Sequence, residues 1–281
     1  MKKNKGYFLI FAMSFFSILS FAQTADEIID GYYEAIGGKD AWLKVENMRM
    51  NAKVNQQGME IPLEIYRAKD GKTYTKVSFQ GINMMQGVYD GETLWSTNFQ
   101  TQKAEKSTTE ATENFKNAMG DFPDGLLEYK KRGYTVELMG QESFDGTDAH
   151  KLKLTKKPMM IEGKEVDNVE FYFFDTESMV LLGSESPINE GSMKGKTSQT
   201  KLSEYDEVDG LYMPFSMSQG LKGGPGQAIT LDKIEMNVEV DEKIMMFPSD
   251  KPMSAPSTQP TTAPSSQPTT APTSQPGGHN K

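Results

Sequence analysis

The sequence contains no cysteine among its 281 residues. This absence excludes disulfide bonds, cysteine nucleophiles, thiolate metal sites and a lipid-modified cysteine. A chain without covalent cross-links has to be stabilised by its hydrophobic core. Residues 23–248 are numerous enough to form one domain with such a core.

Histidine is scarce as well, with only His150 and His279 in the chain. Two histidines so far apart make no zinc site. His150 has no neighbouring nucleophile of the kind that acid–base schemes need, so we expect it to be structural. The acidic residues do not match a calcium-loop spacing. We therefore expect no metal, no cofactor and no catalytic residue. A hydrolase with paired carboxylates stays open, because the separation of such a pair is spatial.

Long apolar runs are absent beyond residues 7–21. Lysines precede this run and small residues follow it, which is typical of a secretory signal peptide. The run is short for a hydrocarbon core of about 30 Å, which disfavours a permanent anchor. We predict that residues 1–22 are a signal peptide cleaved before Gln23, and that the mature protein is soluble and periplasmic.

From Ala255 onward the chain has no large apolar residue and repeats a Pro-, Ser- and Thr-rich motif that restarts at Gln259, Gln267 and Gln275. Such a segment buries too little apolar surface to offset the entropy of ordering it. Residues 249–281 are therefore predicted to be a disordered tail.

Positive charge is also in deficit, since the formal net charge is −9. Loss of three lysines with the predicted signal peptide leaves 27 basic and 39 acidic residues, a net charge of −12. Such a surface repels nucleic acid and anionic membrane headgroups. We expect no nucleic-acid partner and a monomeric protein.

The chain does contain many short segments that alternate between apolar and polar residues. In one of them Met48, Met50, Ala52 and Val54 alternate with polar residues. Period-two alternation places the two sets on opposite faces of a strand. Asp-Gly pairs, which suit tight hairpin turns, separate several segments. The pattern predicts an antiparallel sheet with one wet and one apolar face. Its strands are 47–54, 59–67, 72–79, 82–89, 93–99, 134–140, 149–155, 167–175, 178–186, 196–206, 211–218 and 228–240.

Helical signals flank and interrupt these strands. Residues 24–36 carry an apolar stripe, with Thr24 and Glu27 spaced as a capping box. A short turn is predicted at 40–43. Residues 109–127 predict one or two further helices between strands. The sheet is expected to curl so that the helices cover its apolar opening, giving a mainly β fold with some α structure.

The apolar face supplies the candidate binding residues. Each of them could be ordinary core, which is the more frequent case for a single residue. As a set they exceed what two short helical regions can cover, so a residual apolar cavity is predicted. Methionine suits such a cavity because its flexible thioether adapts to irregular partners. The candidates are Met48, Met50, Met59, Ile61, Leu63, Met84, Trp95, Phe171, Phe173, Met213, Phe215, Ile234 and Met236.

Three stretches carry a family resemblance: residues 24–40, 88–95 and 205–215. They and the layout of residues 23–248 resemble the LolA/LolB-like lipoprotein-carrier superfamily of outer-membrane lipoprotein sorting. The resemblance implies an unclosed β-barrel, or half-barrel, with a helical lid on its concave apolar face. It also implies that the cargo is the acyl chains of a lipid or lipoprotein, and that an envelope protein accepts them.

Two functions therefore follow as expectations. The first is a non-enzymatic exported carrier or chaperone that shelters acyl chains in the half-barrel. The alternative is a protein-binding or sensor module that uses the same concave sheet.

Overall fold

The computed structural model describes residues 23–56, 58–118 and 121–248. The predicted signal peptide and the predicted tail lie outside these residues.

The described residues contain three α-helices, α1 (Ala25–Ala35), α2 (Lys39–Trp42) and α3 (Thr109–Ala118), and two short 3₁₀ helices at Gly191–Met193 and Glu242–Ile244. The predicted capping box of α1 is confirmed. The Glu27 N–H donates to the Thr24 hydroxyl at 3.2 Å, and the Thr24 N–H donates to the Glu27 carboxylate at 2.7 Å. Gly37 follows the helix with a φ of +106°, and a Cβ there would lie 2.4 Å from the Gly210 carbonyl oxygen. Only glycine fits this close approach.

Fifteen strands account for most of the described residues. The first group is β1 (Asn47–Gln56), β2 (Met59–Ala68), β3 (Thr73–Phe79), β4 (Ile82–Tyr89), β5 (Leu94–Thr97) and β6 (Ala104–Lys106). The second group is β7 (Thr135–Phe144), β8 (Thr147–Thr155), β9 (Met159–Ile161), β10 (Lys164–Val166), β11 (Val169–Asp175), β12 (Leu181–Pro187), β13 (Thr197–Val208), β14 (Leu211–Leu221) and β15 (Gly226–Met236).

Thirteen strands form one antiparallel sheet in the order β6-β5-β4-β3-β2-β1-β15-β14-β13-β12-β11-β8-β7. The sheet therefore has two arms, one formed by β1 to β6 and the other by the remaining strands. The arms meet where β1 pairs with β15, for example at Met50 and Ile234. Strands β6 and β7 are the two edges, so the sheet is not closed. The predicted half-barrel is confirmed. Strands β9 and β10 form a separate hairpin.

The main core lies between α1 and the concave face. Ile28, Ile29 and Tyr33 are almost completely buried there, and Tyr32 packs on Phe174 with ring centroids 5.2 Å apart. Residues 121–134, which follow α3, contribute Leu126 to the same core. The open prediction of one or two helices in this region resolves to one, because residues 121–134 form turns.

The convex face is not simply polar, which corrects the prediction of one wet face. One convex cluster contains Tyr66, Tyr74, Met85, Val88 and Trp95. The segment after β15, residues 237–247, covers it by burying Met245. A second convex cluster contains Phe144, Ala149 and Phe173.

Strands β6, β9 and β10 were not predicted, since three residues are too few to show a period. Strand β15 ends at Met236 rather than residue 240, because Asn237 takes a φ of +53°. None of the helices in the described residues combines the length and apolarity needed to cross a bilayer.

Candidate ligand-binding groove

The concave face carries an apolar groove of about 610 Å³ on the arm that contains β1 to β4. This volume lies within the range of about 300–1,000 Å³ typical of ligand pockets. None of the lining side chains among the described residues is charged. The lining residues are Val54, Gln56, Met59, Ile61, Leu63, Thr75, Val77, Phe79, Met84, Gln86, Gly87, Phe99, Gln227 and Ile229.

Strand register builds this lining from successive rows of side chains. Directly paired residues of an antiparallel sheet point to the same face. Leu63 on β2 pairs with Val77 on β3, and Val77 pairs with Met84 on β4. On β1, Val54 pairs with Ile61 of β2 and with Ile229 of β15. Alternation along five strands therefore gives a continuous apolar surface.

Four of the predicted binding residues line the groove: Met59, Ile61, Leu63 and Met84. The others that face the concave side lie towards α1. Met48, Met213 and Ile234 are buried in the main core, and Met50, Phe215 and Met236 are half-buried against it. Among the described residues, the concave face is thus divided into a part that belongs to the main core and a part that lines the groove.

Trp95 lies on the convex face, contrary to the predicted position. It pairs with Val88 in the convex cluster, and its indole N–H donates to the Met245 carbonyl at 2.8 Å. The cause is an irregularity in the β3–β4 pairing between Thr73 and Thr75, near Gly87, which has a φ of +55°. An extra residue reverses the alternation of the strand.

Phe171 and Phe173 also lie on the convex face. Phe173 stacks on Phe144 with centroids 4.4 Å apart, and the Lys151 ammonium lies 4.9 Å from the Phe171 ring centroid. Their neighbours Tyr172 and Phe174 face the main core instead. Residues 171–174 are four successive aromatic residues, so both faces of this strand are apolar. Alternation therefore cannot show which of the four side chains face the concave side.

Sequence reasoning missed several groove residues. Val77 and Phe79 had a usable signal, since they alternate with Lys76 and Ser78 in a predicted strand. Phe99 was predicted to be the last residue of the strand 93–99, but β5 ends at Thr97 and Phe99 lies in the connection between β5 and β6. A single apolar residue in a loop shows no periodicity.

The segment 121–134 is held over the concave face by polar contacts. The Arg67 guanidinium donates to the carbonyls of Asp121 at 3.0 Å and Pro123 at 3.3 Å. Lys156 lies between two carboxylates, 2.9 Å from Asp121 and 3.0 Å from Glu170. Burial alone would lower the pKa of Lys156, but the attraction of Glu170 and Asp121 outweighs it and raises that pKa. The ammonium therefore stays charged.

A second polar contact joins this segment to α1. The Tyr33 hydroxyl donates to the Asp124 carboxylate at 2.7 Å, and the N–H groups of Leu126 and Leu127 donate to the same oxygen. Burial raises the pKa of Asp124 despite these hydrogen bonds, and it also raises the pKa of Tyr33. These polar contacts all lie outside the groove, whose described lining residues carry no charge.

His150 is buried on β8, with its Nδ1 atom 3.4 Å from the Gln141 side-chain amide. Burial lowers the pKa of its imidazole. Within residues 23–56, 58–118 and 121–248, no three or more His, Asp or Glu side chains cluster as metal ligands would.

No protein-family model matches the sequence. No curated protein matches it. Among solved structures, the chain is similar to a DUF1329 family protein from Desulfovibrio piger, at 16% identity and a TM-score of 0.49, over 80% of this chain and 98% of that one. It is also similar to a LolA superfamily protein from Nitrosomonas europaea, at 13% identity and a TM-score of 0.49, with the same coverage. A putative outer membrane lipoprotein-sorting protein domain from Vibrio parahaemolyticus shares 10% identity at a TM-score of 0.46, over 78% of this chain and 94% of that one.

Proposed function

We propose that the protein is a non-enzymatic carrier that shelters the acyl chain of a lipid or lipoprotein in the groove. The observation that supports this most is the lining, in which nine of the fourteen residues are apolar and none is charged. An acyl chain needs such a surface, whereas a polar metabolite needs several convergent polar groups. The predicted signal peptide supports the proposal that the carrier acts in the periplasm.

Affinity would come from buried methylene groups, each contributing about 0.8 kcal/mol. The few polar side chains suit the polar end of the ligand. Gln56 and Gln227 lie at the end of β1 and the start of β15, where the groove meets the hairpin connections. Their amides can hydrogen-bond a carboxyl, ester or amide group while the chain extends along Leu63 and Val77.

The part of the concave face that belongs to the main core does not bind cargo in this proposal. Met48 and Met213 belong to the same buried core cluster as the residues of α1 and segment 121–134, so we assign this part of the sheet to the core and not to cargo. The groove is available for cargo in this proposal because its lining residues, from Val54 on β1 to Ile229 on β15, enclose a volume of about 610 Å³. Release requires a partner that offers the chain a better apolar surface, since a ligand shifts only when the alternative state binds it more favourably.

Mass spectrometry of organic extracts tests the proposal. The mature protein is purified from its native envelope without detergent and extracted, and uptake of a fluorescent fatty acid by the delipidated protein is measured in parallel. We expect a stoichiometric acyl compound in the extract and saturable uptake by the delipidated protein.

An empty extract together with no uptake would overturn the carrier proposal. The groove would then be better explained as a site for an apolar protein segment, which is the alternative function of the same concave sheet.

A further inference from the structure

The concave face beside the groove changes from apolar to polar along one row of paired residues. Gln227 lines the groove and pairs with Gln219 on β14. Gln219 pairs with Thr200 on β13, and Thr200 pairs with Ser184 on β12. Directly paired residues of an antiparallel sheet point to the same face. The row therefore carries four polar side chains in succession, from the edge of the groove into the arm that contains β12 to β14.

The orientation of this row follows from its neighbours in the main core. Leu202 lies two residues after Thr200 on β13 and packs against the main core. Ser184 pairs with Tyr172, which is a buried member of that core. Residues two apart on a strand share a face, so the row lies on the concave side.

Two serines extend the row into a broader polar surface. Ser186 pairs with Ser198, and these residues lie two positions along the strands from Ser184 and Thr200. We term these four residues and Gln219 the polar wall. The four hydroxyl-bearing residues are half-buried and Gln219 is exposed, so each can contact a ligand. Because strands lie about 4.8 Å apart, the polar wall spans about 10 Å across β12 to β14.

The convex face of the same strands is charged, whereas the polar wall is not. On the convex side, Gln199 donates to the Glu185 carboxylate at 2.8 Å, and the Lys222 ammonium lies 2.7 Å from that carboxylate. A surface that only faces water usually carries such charged side chains. The uncharged wall suits a neutral ligand, because a neutral group needs hydrogen bonds but no countercharge when it leaves water.

Charges of both signs flank the polar wall. The β12–β13 connection at its outer end contributes Glu190, Lys194 and Lys196. On β11, beside the wall, the Glu170 carboxylate lies 3.0 Å from the Lys156 ammonium. Because positive and negative groups occur on both of these sides, the surroundings of the wall do not select an anionic or a cationic headgroup by charge.

We propose that the polar wall binds the headgroup of the cargo, and that this headgroup is uncharged and bears several hydroxyl groups, as glycerol or a sugar does. This inference rests on the proposed carrier function, because the headgroup is held beside the acyl chain in the groove. Hydroxyl and amide side chains both donate and accept hydrogen bonds, so they match ligand hydroxyls in either role. Gln227 joins the two surfaces, so one ligand can contact both.

Displacement of a fluorescent fatty acid from the delipidated mature protein tests this headgroup specificity. The competitors have chains of equal length: decanoylglycerol has free hydroxyl groups, methyl decanoate has none, and decyl phosphate is anionic. We expect the unmodified protein to bind decanoylglycerol at least about tenfold more tightly than methyl decanoate, which is the gain from one or two additional hydrogen bonds.

The double variant Thr200→Val, Ser184→Ala removes two hydroxyls from the polar wall. It should lose the preference for decanoylglycerol and keep the unmodified affinity for methyl decanoate. Ser218→Ala is the matched control, because Ser218 is also half-buried on β14 but points to the face opposite Gln219. This control should retain the preference for decanoylglycerol.

Three results would overturn the headgroup proposal: equal affinity of the unmodified protein for decanoylglycerol and methyl decanoate, tighter binding of decyl phosphate than of decanoylglycerol, or an unchanged preference in the double variant. Methyl decanoate reports on the groove alone. Its binding without any headgroup preference would leave the carrier function standing and remove the headgroup site. If neither the fluorescent fatty acid nor any competitor binds, the carrier function on which the inference rests is wrong.

Discussion

Replacement of Val77 by aspartate is expected to weaken fatty-acid uptake at least about a hundredfold while the protein remains folded. Val77 lies in the middle of the groove, where it pairs with both Leu63 and Met84. A carboxylate there has to be desolvated when an acyl chain binds, at a cost of several kcal/mol. About 1.4 kcal/mol corresponds to a tenfold change in affinity, so a cost of several kcal/mol weakens fatty-acid binding by at least about a hundredfold.

Ser78→Asp is the matched control for this substitution. Ser78 is the next residue of the same strand and is similarly half-buried, but it points to the opposite face. Its aspartate variant should keep the uptake of the unmodified protein. Thermal melts of both variants check that folding is retained. Equal uptake by a folded Val77→Asp variant would show that acyl chains do not bind in this groove.

Trp95→Ala is expected to lower the free energy of unfolding by about 3–5 kcal/mol, the usual cost of truncating a buried Trp. Trp95 is 2% exposed and packs between Val88 and Met245 on the convex face. The substitution also removes the donor to the Met245 carbonyl, which leaves that group without its indole partner. For a chain of this size the melting temperature should fall by roughly 10 °C.

Phe99→Ala provides the comparison for stability. Phe99 is 62% exposed, so its truncation should change the free energy of unfolding by no more than about 0.5 kcal/mol. Denaturant unfolding of the two variants measures the difference. If Trp95→Ala were as stable as Phe99→Ala, the segment 237–247 would not be part of the folded core.

Local sequence rules predicted the parts of the fold that depend on neighbouring residues. The Thr24–Glu27 capping box is an interaction within one helical turn, and the sequence shows both partners. The Asp145-Gly146 and Asp209-Gly210 turns were visible because both residues adopt positive φ angles, which these residue types tolerate. Strict alternation also placed Met59, Ile61, Leu63 and Met84 on the correct face.

The errors arose where long-range packing decides the structure. One extra residue in β4 near Gly87 places Trp95 on the convex face. The alternation of the preceding residues gives no sign of this extra residue. Residues 171–174 are all aromatic, so their orientation depends on long-range contacts, of Phe173 with Phe144 and of Phe174 with Tyr32. Met245 is buried by strands that lie more than a hundred residues earlier in the chain. Its environment could not be deduced from its own neighbours.

The same distinction applies to the candidate site. An apolar concave face could be predicted from alternation, but the boundary between core and groove depends on where α1 lies. Met48 and Ile61 alternate equally regularly with polar residues, yet Met48 is buried in the main core whereas Ile61 lines the groove.

Photo-crosslinking with a diazirine fatty acid tests the central claim most directly. The mature protein is labelled at saturation and digested, and the adducts are located by mass spectrometry, with unlabelled fatty acid as competitor. The carrier proposal predicts competable adducts on the peptides that contain Met59, Val77 to Phe79, and Phe99. Competable adducts confined to the convex residues around Phe171 or Met245, or no competable adduct at all, would contradict it.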